Sequence, residues 1–375
     1  MKKSFLIFSF AFIVISCFSQ IETGKFQSLA QVVEYPLIVV ELDLRENGII
    51  NLPKVVSEFK NLKSINLSNN PGLNLNQVFE VLSQNKQLEV LWLMENEIDS
   101  IPENINLLTN LNQLWLDFNN LSSFPVEVLK LEKLEYLSLF DNEIKEISIE
   151  STERSNIKFL SLCYNNFHRF PVELSTFRNL EILEIWYNNI QEIPKEISNF
   201  KNLRELHIQG NNLKRIPQEI THLKNLNRLD LRWNKLDSTS IQNIYRIENL
   251  ESLDLRDNNI KQIPAGISEM KRIKTLGLSE NPIILLPDEM KELKTLQQIG
   301  IGGIFRMNWG KAFQVLGELP NLKKVGMYRM GLSIMPNGFE KLEQVDLFWL
   351  TFNTFNSNEK ERIQSLVPNA KVEFD

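Results

Sequence analysis

The stretch Leu88-x-x-Leu91-x-Leu93-x-x-Asn96-x-Ile98-x-x-Ile101-Pro102 decides the fold, because the chain keeps returning to it. The same order of residue types starts again at Leu111, Leu134, Ile157, Leu180 and Leu203, each 23 residues after the last, and then at Leu226, Leu250, Ile273 and Leu296. A leucine-spaced period of 20–29 residues is the signature of a solenoid in which each unit is one small structural element stacked on the next. Roughly 14 such units fit between Val39 and Phe355. A compact chain of 375 residues would be expected to divide into two domains,. A repeat array escapes that limit because its core grows in one dimension.

Offsets are counted from the first apolar residue of each unit. Positions +0, +3, +5, +10 and +13 are apolar and point inward. The Leu-x-Leu at +3 and +5 is the period-two pattern of a short strand with one face buried, so successive units should align these strands in one parallel sheet. Position +8 is a column of asparagines running from Asn47 and Asn70 through Asn96, Asn119, Asn142, Asn165, Asn188, Asn211, Asn234 and Asn258 to Asn281. An inward polar side chain has to be hydrogen-bonded, and an amide both donates and accepts, so the column is expected to link backbone groups of adjacent turns. Proline recurs at +14, as in Pro102, Pro125, Pro171, Pro194 and Pro217, where its fixed φ and missing N–H suit the corner after the strand,. Pairs such as Ile105 and Leu108, or Ile197 and Phe200, follow as apolar packing beneath the sheet.

Composition agrees with an ordered globular chain: 23% charged, 43% hydrophobic, net charge −6,. No run of like charge forms a nucleic-acid footprint. Residues 1–19 read as a signal peptide, with Lys2 and Lys3 ahead of the apolar run Phe5–Ile15, which is too short to span a bilayer,. Two processing outcomes stay open. Cys17 and Ser19 supply small residues for cleavage before Gln20, whereas Val14-Ile15-Ser16-Cys17 resembles a bacterial lipobox that would lipidate Cys17. Both export the protein, to the periplasm, the cell surface or the medium, and only the second gives it a membrane anchor. Cys163 is the one remaining cysteine, so the mature chain has no intramolecular disulfide and its stability rests on the solenoid core,.

These repeats resemble the leucine-rich repeat superfamily in its 23-residue bacterial and Ras-group form. The resemblance implies a right-handed curved α/β solenoid with a parallel β-sheet on the concave face, and capping segments at both ends. On that basis the chain divides into the leader, an N-terminal cap over 20–38, repeats over 39–355 and a C-terminal cap over 356–375. Phe26–Tyr35 looks like a helical cap, and Ile363–Pro368 with Val372 and Phe374 like a closing helix and strand. Several units depart from the pattern. The second is lengthened, with a helix expected over 76–83; the fifth has Ser148, Ser151 and Arg154 where convex apolar residues belong; the ninth has Thr239 at an apolar position. After residue 296 the units diverge: Gly300, Gly302 and Gly303 crowd the strand, and Ile304, Met330 and Leu350 stand where asparagine is expected.

Positions +2, +4, +6 and +7 are expected to face away from the core. There stand Trp92, Trp115, Phe118, Tyr136, Phe140, Phe159, Tyr164, Trp186 and Tyr187, followed by Trp233. With parallel strands about 4.8 Å apart, Trp92 to Trp186 spans roughly 20 Å. If these rings are about half exposed they form a contact-sized apolar patch. The structural alternative is that they stack on one another and stiffen the sheet. Downstream the face turns into an acid–base lattice that includes His207 and Arg232, read either as cross-strand ion pairing or as a polar flank that orients a partner,. The three histidines fall in separate units at no metal-ligand spacing, Gly300-x-Gly302-Gly303 lacks the remainder of a dinucleotide loop, and Cys163 has no histidine nearby,. The expectation is an exported, non-enzymatic binding module with no metal or cofactor, holding a protein or peptide on the concave face. Carbohydrate capture, with Glu184 and Asp117 accepting sugar hydroxyls, and a spacer without a specific ligand are the alternatives.

Overall fold

The computed structural model describes residues 24–32, 36–149 and 155–375. The leader, including Cys17, and Ser151 and Arg154 of the fifth unit lie outside them. The described residues form two compact units, one up to residue 166 with 176–180, the other 167–175 with 181–375.

The first unit carries β1 (Lys25–Phe26), β2 (Glu41–Asp43), β3 (Ser64–Asn66), β4 (Val90–Trp92), β5 (Gln113–Trp115), β6 (Tyr136–Ser138) and β7 (Phe159–Ser161). They pair in parallel and in chain order, with Leu42, Ile65, Leu91, Leu114, Leu137 and Leu160 in register. Those six residues are the +3 column, and all are buried. The second unit repeats the plan with β8 (Ile182–Glu184), β9 (Glu205–His207), β10 (Arg228–Asp230), β11 (Ser252–Asp254), β12 (Thr275–Gly277), β13 (Gln298–Gly300), β14 (Lys324–Gly326), β15 (Leu347–Trp349) and β16 (Lys371–Glu373). Here the register runs Leu183, Leu206, Leu229, Leu253, Leu276, Ile299, Val325, Phe348, Val372. This is a leucine-rich-repeat type of solenoid, built from strands of two or three residues that need their neighbours to exist at all,.

Behind the strands, most turns return through five-residue 3₁₀ segments such as Glu103–Leu107, Val126–Lys130 and Lys195–Asn199, each capped by the expected proline. One apolar side chain per segment (Ile105, Val128, Ile197) is fully buried, which anchors a turn too short for an α-helix,. Where a unit is longer, a helix replaces the 3₁₀ segment. α1 (Leu75–Leu82) fills the second unit as expected, and its N-cap Asn74 accepts from Gln77 N,. α2 (Trp309–Gly317) fills the twelfth.

The asparagine column is a ladder. Asn119 Nδ2 donates to Leu93 O and Leu116 O, both at 2.9 Å, while its Oδ1 accepts Asn96 N and Ile98 N at 3.0 Å. One buried amide thus satisfies backbone groups of its own turn and of the turn before. Asn142, Asn234, Asn258 and Asn281 make the corresponding bonds. Two sequence expectations are corrected here. The last unit begins at Val345, so Leu350 is the buried +5 residue just after β15 and Asn353 is the ladder residue, donating to Met327 O and Leu350 O and accepting from Met330 N and Leu332 N. Among the described residues the asparagine is therefore replaced at Ile304 and Met330, both buried, and the ladder then resumes. At the amino end, the described part of the cap is strand β1 with 3₁₀ turns at Leu29–Gln31 and Pro36–Ile38, where a helix was expected. At the carboxyl end α3 (Ser357–Leu366) and β16 close the array as anticipated; Glu359 Oε1 accepts Met335 N at 2.7 Å and is held by Arg362.

Asn165 is 5% exposed, accepts Ile144 N and donates to Leu139 O. Asn165→Ala is expected to lower unfolding free energy by about 1–3 kcal/mol, measured by denaturant titration, because it strands buried backbone groups in two turns. A loss smaller than about 0.3 kcal/mol would remove the ladder as the closing device.

Candidate functional site

The sheet face is not uniformly open. Position +6 is half sunk: Asp117, Cys163, Gln209 and Ser279 are buried there, against the expectation that this column faces solvent. Position +7 behaves differently. Glu46, Asn69, Glu95, Phe118, Asp141 and Tyr164 in the first unit all have φ between 51° and 58°. Tyr187, Gly210, Trp233, Asp257, Glu280, Gly303, Arg329 and Phe352 continue the column in the second, with φ between 50° and 67°. The chain leaves each strand through a left-handed residue, which turns the following asparagine inward. An L side chain in this region costs roughly 1–2 kcal/mol, and glycine and asparagine bear it most easily.

In the first unit the aromatic residues form two rows. Trp115, Tyr136 and Phe159 stack along the strands, with centroids 4.4 Å apart for the first pair and 4.2 Å, at 1° between planes, for the second. Phe118, Phe140 and Tyr164 form the other, with both steps at 5.2 Å. Trp92 stands in register with Trp115. The mutual stacking corrects the expectation that each ring is half exposed. Trp92, Trp115, Tyr136, Phe140 and Phe159 are largely covered, and the rings that reach solvent are Phe118 (45%) and Tyr164 (42%), both at +7.

Beneath the rings, Asp117 Oδ1 accepts from Ser138 Oγ and from Phe140 N. Burial pushes this carboxyl above its usual range, and the two hydrogen bonds only partly oppose it,.

In the second unit Trp186 packs edge-on against Tyr187 at 5.5 Å, and Tyr187 stacks on Trp233 at 5.8 Å and 22°. That stack crosses a whole repeat. It is possible because Gly210 lies between them: a Cβ there would stand 2.6 Å from the Tyr187 ring. The Arg232 guanidinium sits 5.1 Å over Trp233,. Tyr187 and Trp233 are 38% and 43% exposed. The structure thus brings Trp186, Tyr187, Arg232 and Trp233 together. His207 stands in register with Asp230 and bonds to Glu205 at 3.0 Å. The charged lattice pairs both within units and across strands: Arg232 and Arg256 each fork onto the aspartate two residues earlier, Asp230 and Asp254, while Arg204 reaches Glu181 at 3.2 Å and Arg232 reaches Asp254 at 3.5 Å.

Sequence reasoning missed Phe352, 64% exposed at φ 57°, with Arg329 5.7 Å above its ring. Reading the last unit from Val345 would have placed it at +7. Among the described residues no group of three or more His, Cys, Asp or Glu side chains could hold a metal ion.

Comparison with known proteins fits this geometry. Two leucine rich repeat family profiles match residues 178–236 and 249–270. A leucine-rich repeat protein of Leptospira interrogans superposes with a TM-score of 0.69 at 26% identity, over 93% of this chain and 99% of that one. The chain is a leucine-rich repeat protein. Proteins of this class are typically non-enzymatic and commonly mediate protein binding. An internalin of Listeria monocytogenes aligns at 18% identity and TM-score 0.58, over 94% of this chain and 84% of that one. A TLR13–ssRNA13 complex aligns at 21% and 0.70, over 93% and 59%. At these identities the likeness shows the fold. Among curated proteins none matches this leucine-rich repeat chain.

Because the folded state holds the Asp117 proton more tightly than the unfolded chain does, the ionised carboxylate is the disfavoured form. Its contribution to stability therefore falls as pH rises from the ordinary aspartate value through the raised one. Asp117→Asn keeps an oxygen for both hydrogen bonds and removes the charge. It is expected to raise the thermal midpoint at neutral pH, with the gain vanishing by about pH 3. Melting curves at both pH values check this, and an equal gain at both would exclude the charge as its source.

Proposed function

We propose that this protein is an exported binding module that holds a protein or peptide partner on its strand face through exposed aromatic side chains. One observation carries the reading. Phe118, Tyr164, Tyr187 and Trp233 occupy left-handed backbone positions at which Gly210 and Gly303 serve the fold equally well. A bulky ring there costs backbone energy and leaves about two fifths of itself in water,. Packing inside the solenoid does not ask for it, whereas tyrosine and tryptophan anchors are typical of binding hot spots. The half-buried rings Trp115, Tyr136, Phe140 and Phe159 act as the bed on which the exposed ones are held. Tyr187 and Trp233, with Arg232 above, offer a second anchor of the same kind.

The face does not suit nucleic acid, since the net charge is −6 and Arg232 and Arg256 are forked onto aspartates. The sugar-binding alternative loses one of its acceptors on this patch, because Asp117 is turned inward onto Ser138 and Phe140. Export rests on the leader, with processing at Cys17 or before Gln20.

Phe118→Asn with Tyr164→Asn separates the fold from the function. Relief of left-handed strain offsets the lost ring contacts, so stability should stay within about 1 kcal/mol of wild type. Affinity capture from the native surroundings should lose the partner with this variant and with Trp233→Ala. Full retention of the same captured protein by both variants would return these rings to a structural role.

Mass spectrometry of the mature amino terminus reads the leader directly. Export predicts either an acylated Cys17 or a free Gln20, and an intact Met1 on the protein recovered from its producing cells would exclude it.

A further inference from the structure

On the second unit the strand face holds a groove of about 610 Å³ that the aromatic anchors do not enter. Its floor is the +4 column, where Gly277, Gly300 and Gly326 stand in register on β12, β13 and β14, between Asp254 on β11 and Trp349 on β15. At about 4.8 Å per strand, four steps separate Asp254 from Trp349, or roughly 19 Å.

Glycine inside a strand weakens it, and it is expected where a bulge, a tight contact or a ligand requires the space. Gly277 is required by packing, since a Cβ there would stand 2.6 Å from Asp254 Oδ1. The other two are not. A Cβ at Gly326 would meet nothing closer than 3.7 Å, and one at Gly300 would meet only the Ser279 hydroxyl, at 3.2 Å. Neither backbone is left-handed. Two adjacent strands thus lack even the Cβ that their surroundings could accommodate, and both glycines line the groove.

The walls define the chemistry of what fits there. At one end the Asp230–Arg232 and Asp254–Arg256 forks present fixed donors and acceptors whose charges cancel. Along one side the Tyr328 ring lies against Gly302, where a Cβ would come within 3.0 Å of it, and its hydroxyl faces Arg256. Thr275 and Gln298 line the other side, and the Trp349 indole closes the far end. Paired charges do not select an ion. The strand N–H and C=O groups are used in the parallel ladder, for example Leu278 N to Gly300 O and Ile301 N to Gly326 O, so an extended peptide would find no backbone to pair with,. A flat ring with one apolar face and hydroxyls around its edge meets both the indole and the polar walls.

We propose that this groove is a binding site for a neutral saccharide, one or two sugar rings lying on the glycine floor against Trp349. None of the anchor rings Phe118, Tyr164, Tyr187 and Trp233 lines the groove, which shares only Arg232 with the second anchor.

Isothermal titration with a panel of soluble neutral di- to tetrasaccharides of glucose, mannose, galactose and N-acetylglucosamine tests it on the full mature chain. At least one member should bind with a Kd of about 1 mM or tighter. Gly326→Leu, which fills the floor, and Trp349→Ala should each weaken that binding about tenfold or more. Melting curves check that Gly326→Leu is folded at the titration temperature, because its Cβ lies 3.7 Å from the Trp349 and Tyr328 rings. Phe118→Asn with Tyr164→Asn should leave saccharide binding unchanged even if it abolishes partner capture. The proposal is overturned if no member of the panel binds by about 10 mM. It is also overturned if binding survives Gly326→Leu, or if short aromatic peptides occupy the groove and the saccharides do not.

Discussion

A single inward amide per turn is the interaction on which the remainder of this structure depends. Each strand is two or three residues long and could not persist alone,. Each turn leaves its strand through a left-handed residue, and the backbone groups that follow point into the interior, where water cannot reach them. Asn119 and its counterparts answer those groups on two successive turns at once. Any one of them left unsatisfied would cost about 1–3 kcal/mol. Because the bonds join nearest neighbours, the array is stabilised by many small, nearly identical increments. At Ile304 and Met330 the bond is absent and apolar burial takes its place, helped by α2, whose Phe313 and Leu316 are fully buried.

Much of this was legible because it is written in side-chain identity. The +3 and +5 leucines, the asparagines, the convex prolines and the lengthened second unit each bear a residue type that only one backbone environment favours. The features that escaped are those where identity and environment separate. Position +7 carries Glu, Asn, Phe, Asp, Tyr, Gly, Trp and Arg, so no composition marks it, yet every member is left-handed. The backbone imposes that conformation to bring +8 inward. Exposure of the aromatic rings was misjudged for a different reason. Tyr136 and Phe159 are covered by each other, not by the core, and such covering depends on distances between units. The slip at Leu350 came from the apolar run Leu347–Leu350, which reads equally well in two registers until Asn353 bonds to Leu350 and Met327.

The same separation of identity from need locates the surfaces free to bind. A solenoid asks for a glycine or a small polar residue at a left-handed position and for a side chain in the middle of a strand. On this chain both preferences are reversed in places. Rings stand at Phe118, Tyr164, Tyr187 and Trp233 where glycine would be easier, and glycine stands at Gly300 and Gly326 where a side chain would stabilise the strand. Each reversal is locally unfavourable by about a kcal/mol. In a small domain a handful of these would consume a large share of the net stability. In a linear array each cost is confined to one unit and its two neighbours, both held by their own asparagine and leucine columns. The repeat therefore does more than display residues. It divides stability among units finely enough that some of them can be built for a partner instead of for the fold.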